Sequence, residues 1–427
     1  MHNKVAGSLF SGGGIGDVGV DWGGSIPVLA ACEIMPSRAQ LIRKNFPGAE
    51  VFEGDIWKTK NAYIKYFQKK LGPQRPWLLT LSPPCQGMSS NGAGRISSQI
   101  RAGNRPKEDE RNRLILPGIE ILENLQPDWF ILENVRRMEN TVIRNEKDIP
   151  ENILDCLKRR LCPSGYSIFA NILDFRDYGV PHHRERLITI GCRIPKIALC
   201  FTTEKNVFSK ELSPLHPPPT HGGNRDMPWV NLRSAIGHLP ELDAKTKTND
   251  EKDALHCIPK WNDEQYFWMK YTPEGQTAFD NMVCFKCKKK VGDKLDLFCD
   301  CGEVLPRPQI KKEAKHRLIK GFKSSYRRMR WDMPGSTLTM NSGVISSDVK
   351  GHPEQNRVLS LREILILSTL DDPCWNQTYT FDGINYGRMV KDQSFSSKLV
   401  REVIGESIPP LVMKKMVEHL LLVEKNA

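Results

Sequence analysis

Ser8-Leu9-Phe10-Ser11-Gly12-Gly13-Gly14-Ile15-Gly16 overlaps the end of the apolar run Val5 to Phe10 and carries the signature of a strand followed by a ligand-binding turn. A short apolar run is a buried strand, and glycines directly behind it permit a tight turn and a close approach of backbone to a ligand. Two acids follow at strand ends. Glu33 closes the run Val28 to Cys32, 21 positions after Gly12, where an acid accepts hydrogen bonds from both ribose hydroxyls. Asp55-Ile56 follows Val51-Phe52, where a carboxylate and a backbone amide can read an adenine edge. The ordered trio of turn, Glu and Asp fits an adenosine-containing cofactor, NAD or S-adenosylmethionine alike.

Beyond this turn, apolar runs alternate with stretches of helical spacing. Helices are expected over Ala39 to Phe46, Asn61 to Leu71, Leu114 to Leu125 and Ile153 to Leu161. Strands are expected over Leu78 to Leu81, Trp129 to Leu132 and Leu187 to Gly191. This alternation argues for an α/β fold on a mainly parallel sheet over residues 1–195. Pro217-Pro218-Pro219, Gly222-Gly223 and the charged stretch Asp243 to Asp253 break the periodicity, so residues 196–354 read as a smaller irregular domain. Helical spacing returns over 355–427, with a final helix from Ile408 to Val423.

The 427 residues have room for two or three domains. A hydrophobic content of 39% and a charged content of 26% are those of an ordinary globular protein. No apolar run approaches the roughly 20 residues that span a bilayer, and the N-terminus lacks a signal-peptide core. A cytoplasmic protein without membrane association is expected, its 12 cysteines mostly reduced. The net charge of +12 is uneven: residues 284–330 hold fifteen Lys and Arg against five Asp and Glu. That segment reads as a polyanion-binding surface rather than a solvated loop.

Chemistry enters after Trp77 to Leu81, with Ser82-Pro83-Pro84-Cys85-Gln86-Gly87-Met88-Ser89. A free cysteine is more often a small buried hydrophobe. Two prolines at a strand end instead carry the chain away stiffly and present the sulfur at a defined point. Glu133-Asn134-Val135 ends another strand, and Arg184-Glu185-Arg186 precedes a third. Strand C-termini share one face of a doubly wound sheet, so thiol, acid and arginines converge there. Such a set suits addition to an electron-poor ring followed by alkyl transfer. The stretch Gln86 to Arg111, rich in Gly, Ser and Arg, reads as a closing loop whose arginines hold phosphates.

Phe10-Ser11-Gly12, Pro83-Pro84-Cys85-Gln86, Glu133-Asn134-Val135, Arg184-Glu185-Arg186, Leu361-Arg362-Glu363 and Gly405-Glu406-Ser407-Ile408-Pro409-Pro410 occur in the order found in the DNA (cytosine-5) methyltransferases, which the chain closely resembles. The resemblance implies a doubly wound, Rossmann-like methyltransferase sheet with a smaller irregular target-recognition domain. It implies S-adenosylmethionine held by Phe10, Ser11, Gly12, Gly14, Glu33, Asp55, Ile56, Glu406 and Ser407. Cys85, beside Pro84, would attack C6 of a cytosine flipped out of duplex DNA. Glu133 would donate to N3 as a carboxylic acid, Arg186 would contact O2, and Arg184 would support the pocket. Gln86, Ser89, Arg95 and Arg101 would contact DNA. The same resemblance suggests a bacterial restriction–modification enzyme: a nucleoid-associated monomer whose cognate endonuclease acts separately. Two readings compete with it: a tRNA cytosine-5 methyltransferase and a non-catalytic DNA-binding accessory protein.

Three positions depart from the family pattern. Ile15-Gly16 stands where Gly and an apolar residue are usual. His182 replaces Gln ahead of the arginine pair and adds a titratable group. Glu406 replaces Asn and brings a carboxylate to the cofactor's methionine end.

Cys284-x2-Cys287 and Cys299-x-Cys301 lie in the basic segment. Four thiolates at this spacing suit a structural, tetrahedral zinc ion over residues 284–301. Cys32, Cys192, Cys200 and Cys257 read as interior residues, and His216 and His221 as surface histidines. Arg307, Arg327, Arg328 and Arg330 are candidates to touch DNA, at bases or at phosphates.

Overall fold

The computed structural model describes residues 4–84, 110–201, 206–292, 296–312, 315–320, 324–371, 379–383 and 395–427. The strands are β1 (Ala6–Leu9), β2 (Val28–Glu33), β3 (Glu50–Glu53), β4 (Leu78–Leu81), β5 (Trp129–Asn134), β6 (Val142–Arg144), β7 (Pro150–Asn152), β8 (Ser167–Asp174) and β9 (Glu185–Cys192). All but the β6–β7 hairpin join one seven-stranded sheet in the order β3-β2-β1-β4-β5-β9-β8. β9 alone runs against its neighbours β5 and β8. It therefore starts at the edge where the parallel strands finish, which brings Arg186 beside the end of β5.

The helices flanking the sheet are α1 (Ile15–Gly24), α2 (Pro36–Asn45), α3 (Ile56–Leu71), α4 (Ile115–Leu125) and α5 (Ile153–Leu161). α3, α4 and α5 bury Tyr63, Phe67, Ile119, Leu122 and Leu157 against one face. The α/β class read from the alternation is the one observed, and Leu78–Leu81 and Ile153–Leu161 have the expected bounds. α2 and α3 start earlier than apolar spacing indicates. Their starts are set by Pro36 at the head of α2 and by the Asp55 cap of α3, which accepts from the Trp57 N–H at 3.0 Å.

Beyond the sheet come α6 (Pro195–Cys200), α7 (Leu232–Ile236), α8 (Asp263–Lys270), the hairpin β10 (Gln309–Lys312) and β11 (Lys315–Leu318), and the short pair β12 (Arg327–Arg328) and β13 (Val349–Gly351). Tyr326, Trp268, Trp261 and Ile345 share a separate apolar cluster in this region. The chain ends with α9 (Leu361–Leu367), α10 (Ser397–Glu406) and α11 (Pro410–Asn426). α11 returns to cover the second face of the sheet with Val412, Met413, Met416 and Leu420.

α1 was not expected, because its glycines lower helix propensity. Packing overrides this. A Cβ on Gly19 would stand 2.3 Å from the Pro410 carbonyl oxygen, and one on Gly23 2.8 Å from that of Lys414. The glycines let α11 lie directly on α1.

Two expectations are corrected. Cys200 is exposed at the end of α6, while Cys32, Cys192 and Cys257 are buried. His216 is buried, its Nε2 2.9 Å from the Ile188 carbonyl oxygen: the proline run folds it against β9. Among the described residues no helix is long and apolar enough to cross a membrane.

Candidate functional site

The ends of β1, β2, β4 and β5 and the start of β9 meet at one edge of the sheet. The turn after β1 places Phe10, Gly12 and Gly14 at φ of 58°, 57° and 77°. Gly14 caps α1 in this left-handed conformation. Glu33 is buried, and its two oxygens accept from the N–H groups of Gly12 and Met35, each at 2.8 Å. Burial pushes this carboxyl up, while the Met35 amide and Arg38 pull it down. A carboxylate has about four acceptor sites, so Glu33 is oriented and keeps capacity for more donors.

Around this turn the Ser11 hydroxyl is buried without a hydrogen-bond partner among the described residues, and space is open where a Gly12 side chain would be. An orphaned hydroxyl, an open backbone turn and an oriented carboxylate fit a bound adenosine-type cofactor. Asp55 serves as the α3 cap and Ile56 is buried beneath it. Ile34 follows Glu33 and is 61% exposed, a large apolar side chain beside the acid that charge-based reading passed over.

Glu406 closes α10 and pairs with Arg38 of α2 (2.6 Å). Burial raises its carboxyl and Arg38 opposes the shift. The family departure at 406 thus carries its own counter-charge. Ser407 caps α10, its hydroxyl donating to the Ile404 carbonyl at 3.1 Å.

At the end of β5, Glu133 is buried and pairs with Arg186 Nε (2.8 Å). Its neighbour Asn134 donates from Nδ2 to the Pro83 carbonyl (3.0 Å), so the acid-bearing strand holds the segment leading to Pro84 and Cys85. This clamp was not read from the sequence, because an asparagine beside a catalytic-looking acid has no spacing signal of its own. Arg184 is fully buried and donates to the carbonyls of Leu338 and Gly405, both at 3.1 Å. It ties the start of β9 to the irregular region and to α10. His182 is pushed down to about 3 by burial and by Arg184 and Arg186, so its ring is neutral near pH 7. Cys85, Gln86, Ser89, Arg95 and Arg101 lie outside the described residues.

The basic candidates separate. Arg328 is buried, and its guanidinium donates to the carbonyls of Thr272, Met269 and His352 and to Asn356. Arg307 is buried too, with Nε on the Phe279 carbonyl. Both are internal braces, which corrects the reading of them as DNA contacts: a guanidinium's five donors suit a bundle of loop carbonyls as well as a phosphate. Arg330 is exposed and pairs with Asp332 (2.6 Å), and Arg327 opens β12.

Cys284, Cys287, Cys299 and Cys301 come together, their sulfurs all within 4.8 Å of one another. Cys284 lies 3.6 Å from Cys301, and Cys287 3.4 Å from Cys299. A tetrahedron of about 2.3 Å zinc–sulfur bonds has edges of about 3.8 Å, whereas a disulfide measures about 2.05 Å. The four sulfurs fit the spacing that a closed four-thiolate ion site would need. A second group, Asp174, His183 and Glu185, is met by arginines: Arg176 on Asp174 (2.8 Å) and Arg136 on Glu185 (3.5 Å). It reads as an ion-pair network.

The family model "C-5 cytosine-specific DNA methylase" matches residues 6–421, and the chain belongs to that family. Among curated relatives, the Type II methyltransferase M1.HgaI of Avibacterium volantium is 29% identical over 98% of this chain and 99% of its own length. The Type II methyltransferase M1.HphI of Haemophilus parahaemolyticus is 24% identical over 98% of this chain and 87% of its own. Among solved structures, a proposed DNA modification methyltransferase encoded within an E. coli prophage aligns with a TM-score of 0.59 at 19% identity, over 99% of both chains. That likeness is one of fold. The enzyme is a DNA cytosine-5 methyltransferase that uses S-adenosylmethionine.

Proposed function

We propose that the chain methylates one cytosine within a specific duplex sequence, as the modification enzyme of a Type II restriction–modification system, through a transient bond from Cys85 to C6. The observation that carries the reading is the Glu133–Arg186 pair at the end of β5, joined through Asn134 to Pro83, two residues before the thiol.

S-adenosylmethionine supplies the electrophilic methyl group when bound. Phe10, Ser11, Gly12 and Gly14 would line it, Glu33 would take the ribose hydroxyls, and Asp55 and the Ile56 amide the adenine edge. Ile34 offers that ring an apolar face. Glu406 and Ser407 would flank the methionine end.

The chain's own residues then do the following. The Cys85 thiolate adds to C6 of the flipped base. Glu133 donates a proton at N3 as the electron pair of the C5–C6 bond moves into the ring, and C5 becomes the nucleophile. Arg186, already oriented on Glu133, holds O2. After transfer the N3 proton returns to the Glu133 carboxylate, a water molecule takes the C5 proton, and the electron pair of that C–H bond reforms the C5–C6 double bond as the C6–S bond breaks and Cys85 leaves as thiolate. Gln86, Ser89, Arg95 and Arg101 belong to the closing loop, and Arg327 and Arg330 remain candidates for phosphates. Arg184 acts from behind as a brace.

The four cysteines would hold a structural zinc ion, with no position left for water. The protein acts as a cytoplasmic monomer, independently of any partner endonuclease. Incubation with labelled S-adenosylmethionine and either duplex DNA or tRNA tests the reading. Label should enter duplex DNA and be absent with Cys85→Ala. Label in tRNA alone would replace this reading with the RNA one.

A further inference from the structure

We infer that the four-cysteine centre is a metal-dependent support for a DNA-contacting hairpin, so that metal loss uncouples duplex binding from cofactor binding. The inference rests on the zinc reading above and extends it to the partner of that site.

β10 and β11 pair over only four residues each. A two-stranded hairpin of this size is marginal in water unless something stiffens it. The cysteine module does so from one side. Phe298, next to Cys299, packs edge-on against His316 of β11 (5.0 Å between ring centres). His316 is bonded to Gln309 of β10 (3.0 Å), whose Nε2 donates to the Leu305 carbonyl (3.0 Å). On the other side Phe285, between Cys284 and Cys287, meets Phe267 of α8 (5.3 Å). Lys286 joins the two cysteine loops through Glu303 (2.6 Å). The module thus sits between α8 and the hairpin, and an ion drawing the four sulfurs together would fix one relative to the other.

The exposed surface of the hairpin is basic, with Arg317 and Ile310 on the face turned away from the Gln309–His316 pair and Lys311 on the face it shares with His316. Lys311, Arg317 and Lys320 are exposed, as are Lys289 and Lys290. Ile310 is 36% exposed opposite Arg317. The chemistry fits the phosphates of the substrate duplex.

The test measures the affinity of the full-length protein for a short fluorescent duplex as a function of salt. Neutralising three phosphate contacts flattens log K against log salt by about 2.7, or about fortyfold across a fourfold salt change. The triple variant Lys311→Ala/Arg317→Ala/Lys320→Ala should show this loss with zinc content and S-adenosylmethionine affinity unchanged. Chelator-treated wild type, and Cys287→Ser as a second route, should reproduce the loss with cofactor affinity retained. A wild-type slope in the triple variant overturns the hairpin contact. A wild-type slope after proven zinc removal overturns the metal dependence while leaving the zinc site standing. Purified protein without zinc removes the zinc reading itself, and the inference with it.

Discussion

Asn134→Ala probes how the acid-bearing strand governs the nucleophile it does not touch. Asn134 is buried, donates to the Pro83 carbonyl at 3.0 Å and accepts from the Val135 N–H at 2.9 Å. Alanine leaves a buried carbonyl without its donor, which costs about 1–3 kcal/mol. Pro83 and Pro84 transmit displacement stiffly, so a loosened Pro83 moves Cys85 off line. If the whole cost appears in the transition state, the single-turnover methylation rate falls about 5- to 150-fold. Cofactor affinity should hold, because Glu33 and the glycine turn lie on other strands. Asn134→Asp should be worse than alanine, since it sets an oxygen against the Pro83 oxygen. Rapid-quench transfer of labelled methyl to duplex DNA gives the rate, and thermal unfolding gives the stability change. A rate within twofold of wild type, with a lowered melting temperature, would make the bond purely structural and refute the positioning argument.

Glu363 is fully buried. Burial alone would raise its carboxyl, but the bidentate Arg357 pair at 2.6 and 2.8 Å wins and holds it at about 2, against an ordinary value of 4.5. A depressed carboxyl contributes stability above the unfolded value that is lost as pH falls through the folded one, here about 3 kcal/mol. Urea unfolding should show the gap between wild type and Glu363→Gln narrowing from pH 5 to pH 2; a constant gap contradicts this. Arg328→Ala should cost more than about 2 kcal/mol of stability by orphaning several buried acceptors, whereas Arg330→Ala should leave melting unchanged; calorimetry of both variants decides. Glu406→Gln releases Arg38 to turn toward Glu33, and should weaken S-adenosylmethionine binding about fivefold by titration calorimetry with the maximal rate unchanged; unchanged affinity would remove Glu406 from the cofactor site.

The sheet was legible because buried parallel strands are short apolar runs, and the acids at their ends stand where the chain must turn. Glu33 and Glu133 stand at such strand ends, both buried. α1 was hidden because its glycines serve contact with α11, which lies some 400 residues away in sequence and leaves no local pattern. Arg184, Arg307 and Arg328 show a different limit. A buried guanidinium bridging loop carbonyls and an exposed one awaiting a phosphate have the same residue name, and only burial separates them. The cysteine quartet was legible from spacing, while its place between α8 and the β10–β11 hairpin depended on aromatic contacts that spacing does not encode.

Covalent capture of the target base is the decisive measurement. Duplex DNA bearing 5-fluorocytosine at the target position, mixed with the protein and S-adenosylmethionine, cannot release the C5 substituent and so cannot expel the thiol. Intact-mass spectrometry should then show a denaturant-stable protein–DNA species, mapped by digestion to Cys85 and absent in Cys85→Ala. A folded, cofactor-bound enzyme that methylates ordinary duplex yet yields no such species would contradict the mechanism.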